Sequence, residues 1–215
     1  MNYKIFSSVD ELPDEWDSLS TEDTFLKSPF LRALERSSPL NIKTYFVGCF
    51  LERELVGIAL LQHVQLFSSD VFRRKSDSAI KELGKRFVSF FLKGNALVIG
   101  NLMHTGQHAF WFDKKRIDQA KFLEMILVAA RKHAVDIKQQ SNNKIKIIAL
   151  KDFFEDDPIH RQQKFLKSTG FFKAKVQPNM VFDIRDTWLS TEAYVSSFNK
   201  KYRRRYRTAL KKKSP

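Results

Sequence analysis

Ala96-Leu97-Val98-Ile99-Gly100-Asn101-Leu102-Met103-His104-Thr105-Gly106-Gln107-His108 is the stretch on which the fold turns. Ala96 to Ile99 are apolar and read as a short buried strand, and Gly100-Asn101 ends it as a turn or bulge. A polar loop follows. A long helix is expected from Ile117 to Ile137, with Phe122, Leu123, Ile126, Leu127, Ala130 and Ala134 on one face and Asp113 ahead of it as the cap. A strand that opens at a glycine and feeds a helix leaves backbone N–H groups free, and α/β proteins often bind ligands there.

Upstream, Tyr3 to Phe6 read as a strand and Val9 to Trp16 as a capped helical turn. Ser28 to Ser37 form a helix with Phe30, Leu31 and Leu34 on one face. Lys43 to Phe50 and Leu55 to Phe67 form a hairpin around Leu51-Glu52-Arg53-Glu54. Gly57 inside the second strand marks a bulge or a close backbone approach. Ser76 to Leu92 have helical spacing.

Downstream come a strand from Ile145 to Leu150 and a helix around Ile159 to Ser168 that ends at Gly170. Phe171 to Ile184 are extended, with a break at Pro178-Asn179. A last helix starts at Ser190 or Thr191 and runs to about Lys212. Hairpins alternate with crossover helices, so the expected fold is α/β (or α+β), a mixed sheet with helices on both faces.

With 215 residues, 43% apolar, and twenty Phe, the chain can bury a core and is not a disordered polymer. The single Cys49 excludes a disulfide scaffold or a cysteine zinc site and fits a reducing compartment. The N-terminus carries no apolar signal region, and the uncharged Gly94 to Phe112 contain too many polar groups for lipid. The expectation is a cytoplasmic protein, or one peripheral to a membrane, with no transmembrane segment.

The net charge of +14 is uneven. Ser190 to Pro215 hold nine basic residues against Glu192 alone, a net of +8, which leaves +6 for the other 189 residues.

Several segments together carry a resemblance. They are Phe25-Leu26-Lys27-Ser28-Pro29-Phe30-Leu31-Arg32-Ala33-Leu34-Glu35, then Leu55-Val56-Gly57-Ile58-Ala59-Leu60-Leu61-Gln62, then Gly100-Asn101 with Thr105-Gly106, and Tyr202-Arg203-Arg204-Arg205-Tyr206-Arg207-Thr208-Ala209-Leu210. The chain resembles the N-terminal half of FemAB-like proteins, N-acyltransferases built of two GNAT-like halves and linked to peptidoglycan or other cell-envelope acylation. The resemblance implies a GNAT-like domain over residues 1–188. It makes residues 189–215 a basic amphipathic helix that links to a second half. It implies acyl-CoA or aminoacyl-tRNA as donor, an amine of a small molecule or cell-wall precursor as acceptor, and tRNA as a partner. This chain departs from the CoA-binding pattern. Phe112-Asp113-Lys114-Lys115-Arg116 precede the main helix without a glycine, so the backbone there cannot approach a pyrophosphate closely.

Gly100, Asn101, Thr105, Gln107 and His108 are the candidate wall of a substrate cleft, with histidine a candidate base near neutral pH. The alternative is that Asn101 and Thr105 only satisfy the loop's own backbone. His104 and His108 are four apart, but Gly106 between them argues against a helix and nothing completes a metal set, so no metal site is expected. Glu155-Asp156-Asp157 precede Pro158 and a helix start, where acids favour the positive dipole end. In the last helix Tyr194, Phe198, Tyr202, Tyr206 and Leu210 recur every four residues. Arg203, Arg204, Arg205 and Arg207 are candidate phosphate or nucleic-acid contacts. The other readings of this helix are an anionic membrane surface, or a packing face for a second half or for self-association.

Overall fold

The fold is built on a hairpin. Strands β2 (Ile42–Leu51) and β3 (Glu54–Leu66) pair antiparallel around Glu52 and Arg53, with Glu52 left-handed at φ 57. In the computed structural model, which describes residues 1–19, 22–66, 94–175 and 182–213, β1 (Asn2–Phe6) adds antiparallel to β2. The antiparallel β4 (Gly94–Ile99) adds to β3 on its other side. A short β5 (Phe110–Phe112) pairs with β3 beyond the end of β4. β6 (Ile145–Leu150) lies parallel to β4. The result is one six-stranded mixed sheet in the order β1-β2-β3-β4-β6, with β5 on β3. The helical spacing at Ser76 to Leu92, and Phe67, lie outside the described residues.

The period-2 alternation of β2 and β3 sends successive side chains to opposite faces. Tyr45, Val47, Ala59 and Leu61 face one way and pack with Phe122, Ile126, Leu127 and Ala130 of α3 (Gln119–Ser141). Phe46, Ile58 and Leu60 face the other way, with Trp16 of α1 (Trp16–Leu19) and Leu31 and Leu34 of α2 (Ser28–Ser37). Trp16 is the centre of that second core. Its ring meets Phe6 and Phe46 edge-on, at 6.3 and 6.2 Å, and its Nε1 donates to the Leu26 carbonyl at 2.8 Å. Edge-to-face pairs of this kind contribute about 0.5–1.5 kcal/mol each beyond their burial.

Gly57 is explained by packing. The β2–β3 register shifts next to it, between Cys49 and Phe50, and an edge of the Phe122 ring occupies the space beside its Cα. A Cβ at Gly57 would stand 2.4 Å from that ring.

Four expectations are corrected. β5 was expected as loop; three residues suffice there because they extend an existing ladder. The cap of α3 is Asp118, not Asp113: the Asp118 carboxylate accepts from Lys121 N at 2.9 Å. The helix expected around Ile159 begins as a tighter turn over Pro158–Gln162 and becomes α4 only at Gln163–Ser168. The last helix is two, α5 (Thr191–Ser196) and α6 (Lys200–Lys213). Asn199 restarts it, its side chain accepting from Tyr202 N at 3.1 Å, as N-cap residues do. The described parts of the stretch expected to be extended, 171–175 and 182–184, form no strand, and Pro178-Asn179 lie outside the described residues.

Packing divides the chain into Met1–Lys173, which contains the sheet, and Ala174–Pro215. In the second unit Phe182, Trp188, Tyr194, Phe198 and Tyr206 form a run of ring contacts, from Tyr194–Phe198 at 4.7 Å to Phe198–Tyr206 at 6.4 Å. Tyr202 and Leu210, of the same four-residue repeat, stay exposed. No helix among the described residues is long and apolar enough to cross a membrane.

Candidate functional site

Leu60, in the middle of β3, holds both ends of the 101–108 loop. Its carbonyl accepts from Gly100 N and its N–H donates to Ala109 O, both at 2.9 Å. β4 and β5 are therefore one strand line along β3, interrupted by an eight-residue excursion. Gly100 makes the exit, at φ +135 with Lys151 Cβ only 3.1 Å from where its own Cβ would lie. Its N–H is engaged by Leu60, so it is not the free donor that the sequence invites one to place there.

The loop is anchored from inside. Gln62, fully buried on β3, accepts from Leu102 N at 2.7 Å. Asn101 is also buried, and its side-chain oxygen accepts from Met103 N at 2.9 Å, a local turn bond. Gln107 reaches across to the segment after β6: its amide donates to the Asp157 carboxylate and its oxygen accepts from Phe154 N at 3.2 Å. Asp157 also caps the turn at Pro158, accepting from Ile159 N at 2.7 Å. Thr105 is exposed. Of the five candidate residues, Gly100, Asn101 and Gln107 thus build the loop, and Thr105 and His108 present themselves on it.

His108 has a partner no local pattern reveals. Its Nδ1 lies 2.9 and 3.1 Å from the two oxygens of Asp23, which is 85 positions away. Asp23 stands in the turn before α2, where it also accepts from Phe25 N at 2.9 Å. Phe25 packs against both histidines, with ring centroids 4.0 Å from His104 and 4.4 Å from His108. The two imidazoles stack at 5.1 Å and 9°. Burial pushes the His104 imidazole below the usual histidine range, and the neighbouring His108 and Lys151 push it further. The Nε2 of His104 is buried without a partner among the described residues.

A carboxylate only accepts, so Nδ1 of His108 is the donor to Asp23, and in the neutral ring Nε2 carries no proton. That Nε2 lies over Gly106. A Cβ on Gly106 would be 2.9 Å from it, and Gly106 sits at φ +110. The side chains of His108 and Asp23 keep 24% and 17% of their surface exposed. A carboxylate–imidazole pair whose Nε2 is unprotonated can accept a proton and hold it as imidazolium beside a negative charge. Among the described residues no group of three His, Cys, Asp or Glu is placed to hold a metal ion.

The residues do not fit a CoA pyrophosphate at the start of α3. Four N–H groups in and just ahead of its first turn are already paired: Arg116 N and Ile117 N with Asp113 O at 3.0 Å, and Lys115 N and Lys121 N with the Asp113 and Asp118 carboxylates at 2.9 Å. Two acids thus stand where an anion would bind. Arg116 is paired with Glu54. Phe110 of β5 packs with Phe122 of α3 at 5.2 Å and with Phe153, just after β6, at 5.7 Å.

No family model matches the chain, and no curated protein matches it in sequence. Among solved structures it is similar to a ribosomal-protein-alanine N-acetyltransferase from Brucella melitensis biovar Abortus, at 9% identity and a TM-score of 0.44, over 84% of this chain and 98% of that one. It is similar to an aminoglycoside 6'-N-acetyltransferase from Acinetobacter haemolyticus, at 10% identity and 0.43, over 86% and 100%. A transcriptional regulator from Bacillus halodurans aligns at 12% and 0.43, over 84% and 100%. Likeness this distant carries no argument about activity.

Proposed function

We propose that the sheet unit is the acceptor side of an N-acyltransferase, with His108 as the base. The observation that carries the reading is the Asp23–His108 pair with Nε2 bare over Gly106. In the reaction the amine nitrogen attacks an activated acyl carbon. His108 Nε2 takes the amine proton, the N–C bond forms, the bond to the leaving group breaks, and the proton passes to that group. Asp23 orients the ring and stabilises the imidazolium. A positioned base of this kind contributes about 10²–10⁴-fold.

The mixed sheet, antiparallel from β1 to β4 and then joined by a helical crossover to a parallel β6, agrees with the GNAT-like fold the resemblance implies. Within that class the resemblance favours a FemAB-like enzyme and a cell-envelope amine as acceptor. Because Asp113 and Asp118 stand at the start of α3 and no glycine precedes it, the donor in this reading is held away from that helix.

The test uses S-acetyl-pantetheine, a thioester without a pyrophosphate, and an aminoacyl ester as donors, with a panel of primary amines and amide product read by mass spectrometry. Product that His108→Gln abolishes supports the reading. No product from either donor with any amine, or product that His108→Gln leaves unchanged, overturns it.

A further inference from the structure

The second unit holds a surface that acyl transfer does not use. α6 carries nine basic residues in fourteen and no acid. At 100° per residue eight of them, all but Lys213, spread over an arc of about 200° of the helix. Lys200, Arg204, Arg207 and Lys211 fall in one row, about 16 Å long at 1.5 Å rise per residue. Row neighbours are three or four positions apart, where like charges repel. None of the four has an acidic partner among the described residues. Two other arginines are engaged. Arg203 donates to the Ser196 and Phe198 carbonyls at 2.7 Å and holds the α5–α6 corner. Arg205 lies over the exposed Tyr202 ring at 5.7 Å.

A row of unopposed like charges on a helix is stabilised by an extended anion. We infer that α6 is a nucleic-acid-binding surface, on which Lys200, Arg204, Arg207 and Lys211 track successive phosphates of one strand. The row matches the rise of about five nucleotides at 3.4 Å each. Tyr202 beside Arg205 offers a ring on which a base stacks. A membrane surface fits less well. The apolar stripe is Tyr202, Tyr206 and Leu210, and Tyr206 is turned onto Phe198, which leaves two side chains to insert into lipid. A second copy of α6 brings the same charge and is repelled.

The test is fluorescence anisotropy of a labelled 20-nucleotide RNA and a 20-base-pair DNA with the full chain between 50 and 200 mM salt. Binding is expected to weaken at least 100-fold across that range, as several phosphate contacts require. The quadruple variant Lys200→Gln, Arg204→Gln, Arg207→Gln, Lys211→Gln is expected to lose at least 30-fold in affinity at 50 mM salt. Its salt slope is expected to fall by about three to four. Glutamine keeps helix propensity and removes repulsion, so circular dichroism should show the helix retained. Lys114→Gln with Lys115→Gln, outside this unit, should change nothing. Absence of binding to both probes at 50 mM salt overturns the inference. So does a slope unchanged in the quadruple variant. So does binding to phosphatidylglycerol vesicles without binding to either nucleic acid, which makes the surface a lipid contact.

Discussion

His104 and His108 lie ring on ring, 5.1 Å apart and 9° from parallel, yet only His108 has a carboxylate on its Nδ1. The two histidines therefore have different roles. His104 is a neutral plate whose buried Nε2 meets no partner, so a phenyl ring in its place loses no hydrogen bond there. His104→Phe should keep acyl transfer within about threefold and leave stability unchanged or slightly higher, whereas His108→Phe should lose about 100-fold or more in kcat/KM. Kinetics of the two variants with the same donor and amine separate the roles; equal losses contradict the assignment.

Gly106 leaves room for His108 Nε2 where a side chain would crowd it. Gly106→Ala places a methyl 2.9 Å from that nitrogen and forces a non-glycine residue to φ +110. Transfer should fall at least tenfold, with a stability cost of about 1–2 kcal/mol from the backbone. Urea unfolding beside steady-state rates checks both, and full activity in the alanine variant would refute the placement.

Gly57 is a packing requirement far from the chemistry. Gly57→Ala drives a methyl into the Phe122 ring, between β3 and α3. It should destabilise the protein by about 1–3 kcal/mol, the usual range for overpacking. The double variant Gly57→Ala, Phe122→Leu should recover part of that loss in urea unfolding, because the clash is with that ring.

His133 supplies a pH-dependent weakness. It packs against Tyr45 at 4.1 Å, and burial lowers it from 6.5 to about 4, with His63, Lys43 and Lys132 adding to the effect and Asp136 opposing it. The unfolded chain then binds the proton more readily than the folded one. Stability is full above about pH 6.5 and falls as pH drops toward 4, by roughly 2 kcal/mol from this residue. His133→Phe should flatten the difference between urea midpoints at pH 7 and pH 4.5. An unchanged difference contradicts it.

Local chemistry made much of the sheet legible. The alternation in β2 and β3, the apolar run before Gly100 and the 3.6-residue stripe of α3 all follow from spacing. β5 was hidden because three residues have no period of their own; they are a strand only because β3 is already there. The break before α6 turned on Asn199, whose capping wins over the continuity of the aromatic repeat. In the site, His108 could be named from its loop, but Asp23 could not. Nothing near Asp23 marks it except a turn-capping role that any Asp can fill, and the pairing spans 85 positions. Gln107 reads in sequence as a cleft residue, and its amide is taken up by Asp157 and Phe154.

The most direct test of the account is the ring-nitrogen NMR spectrum of His108 in the neutral state, which needs no substrate. The Asp23–His108 pairing predicts the tautomer with the proton on Nδ1, hydrogen-bonded to Asp23, and a shift of the tautomer balance toward Nε2–H in Asp23→Asn. A His108 protonated on Nε2 in the unaltered protein, or a spectrum indifferent to Asp23→Asn, would contradict it.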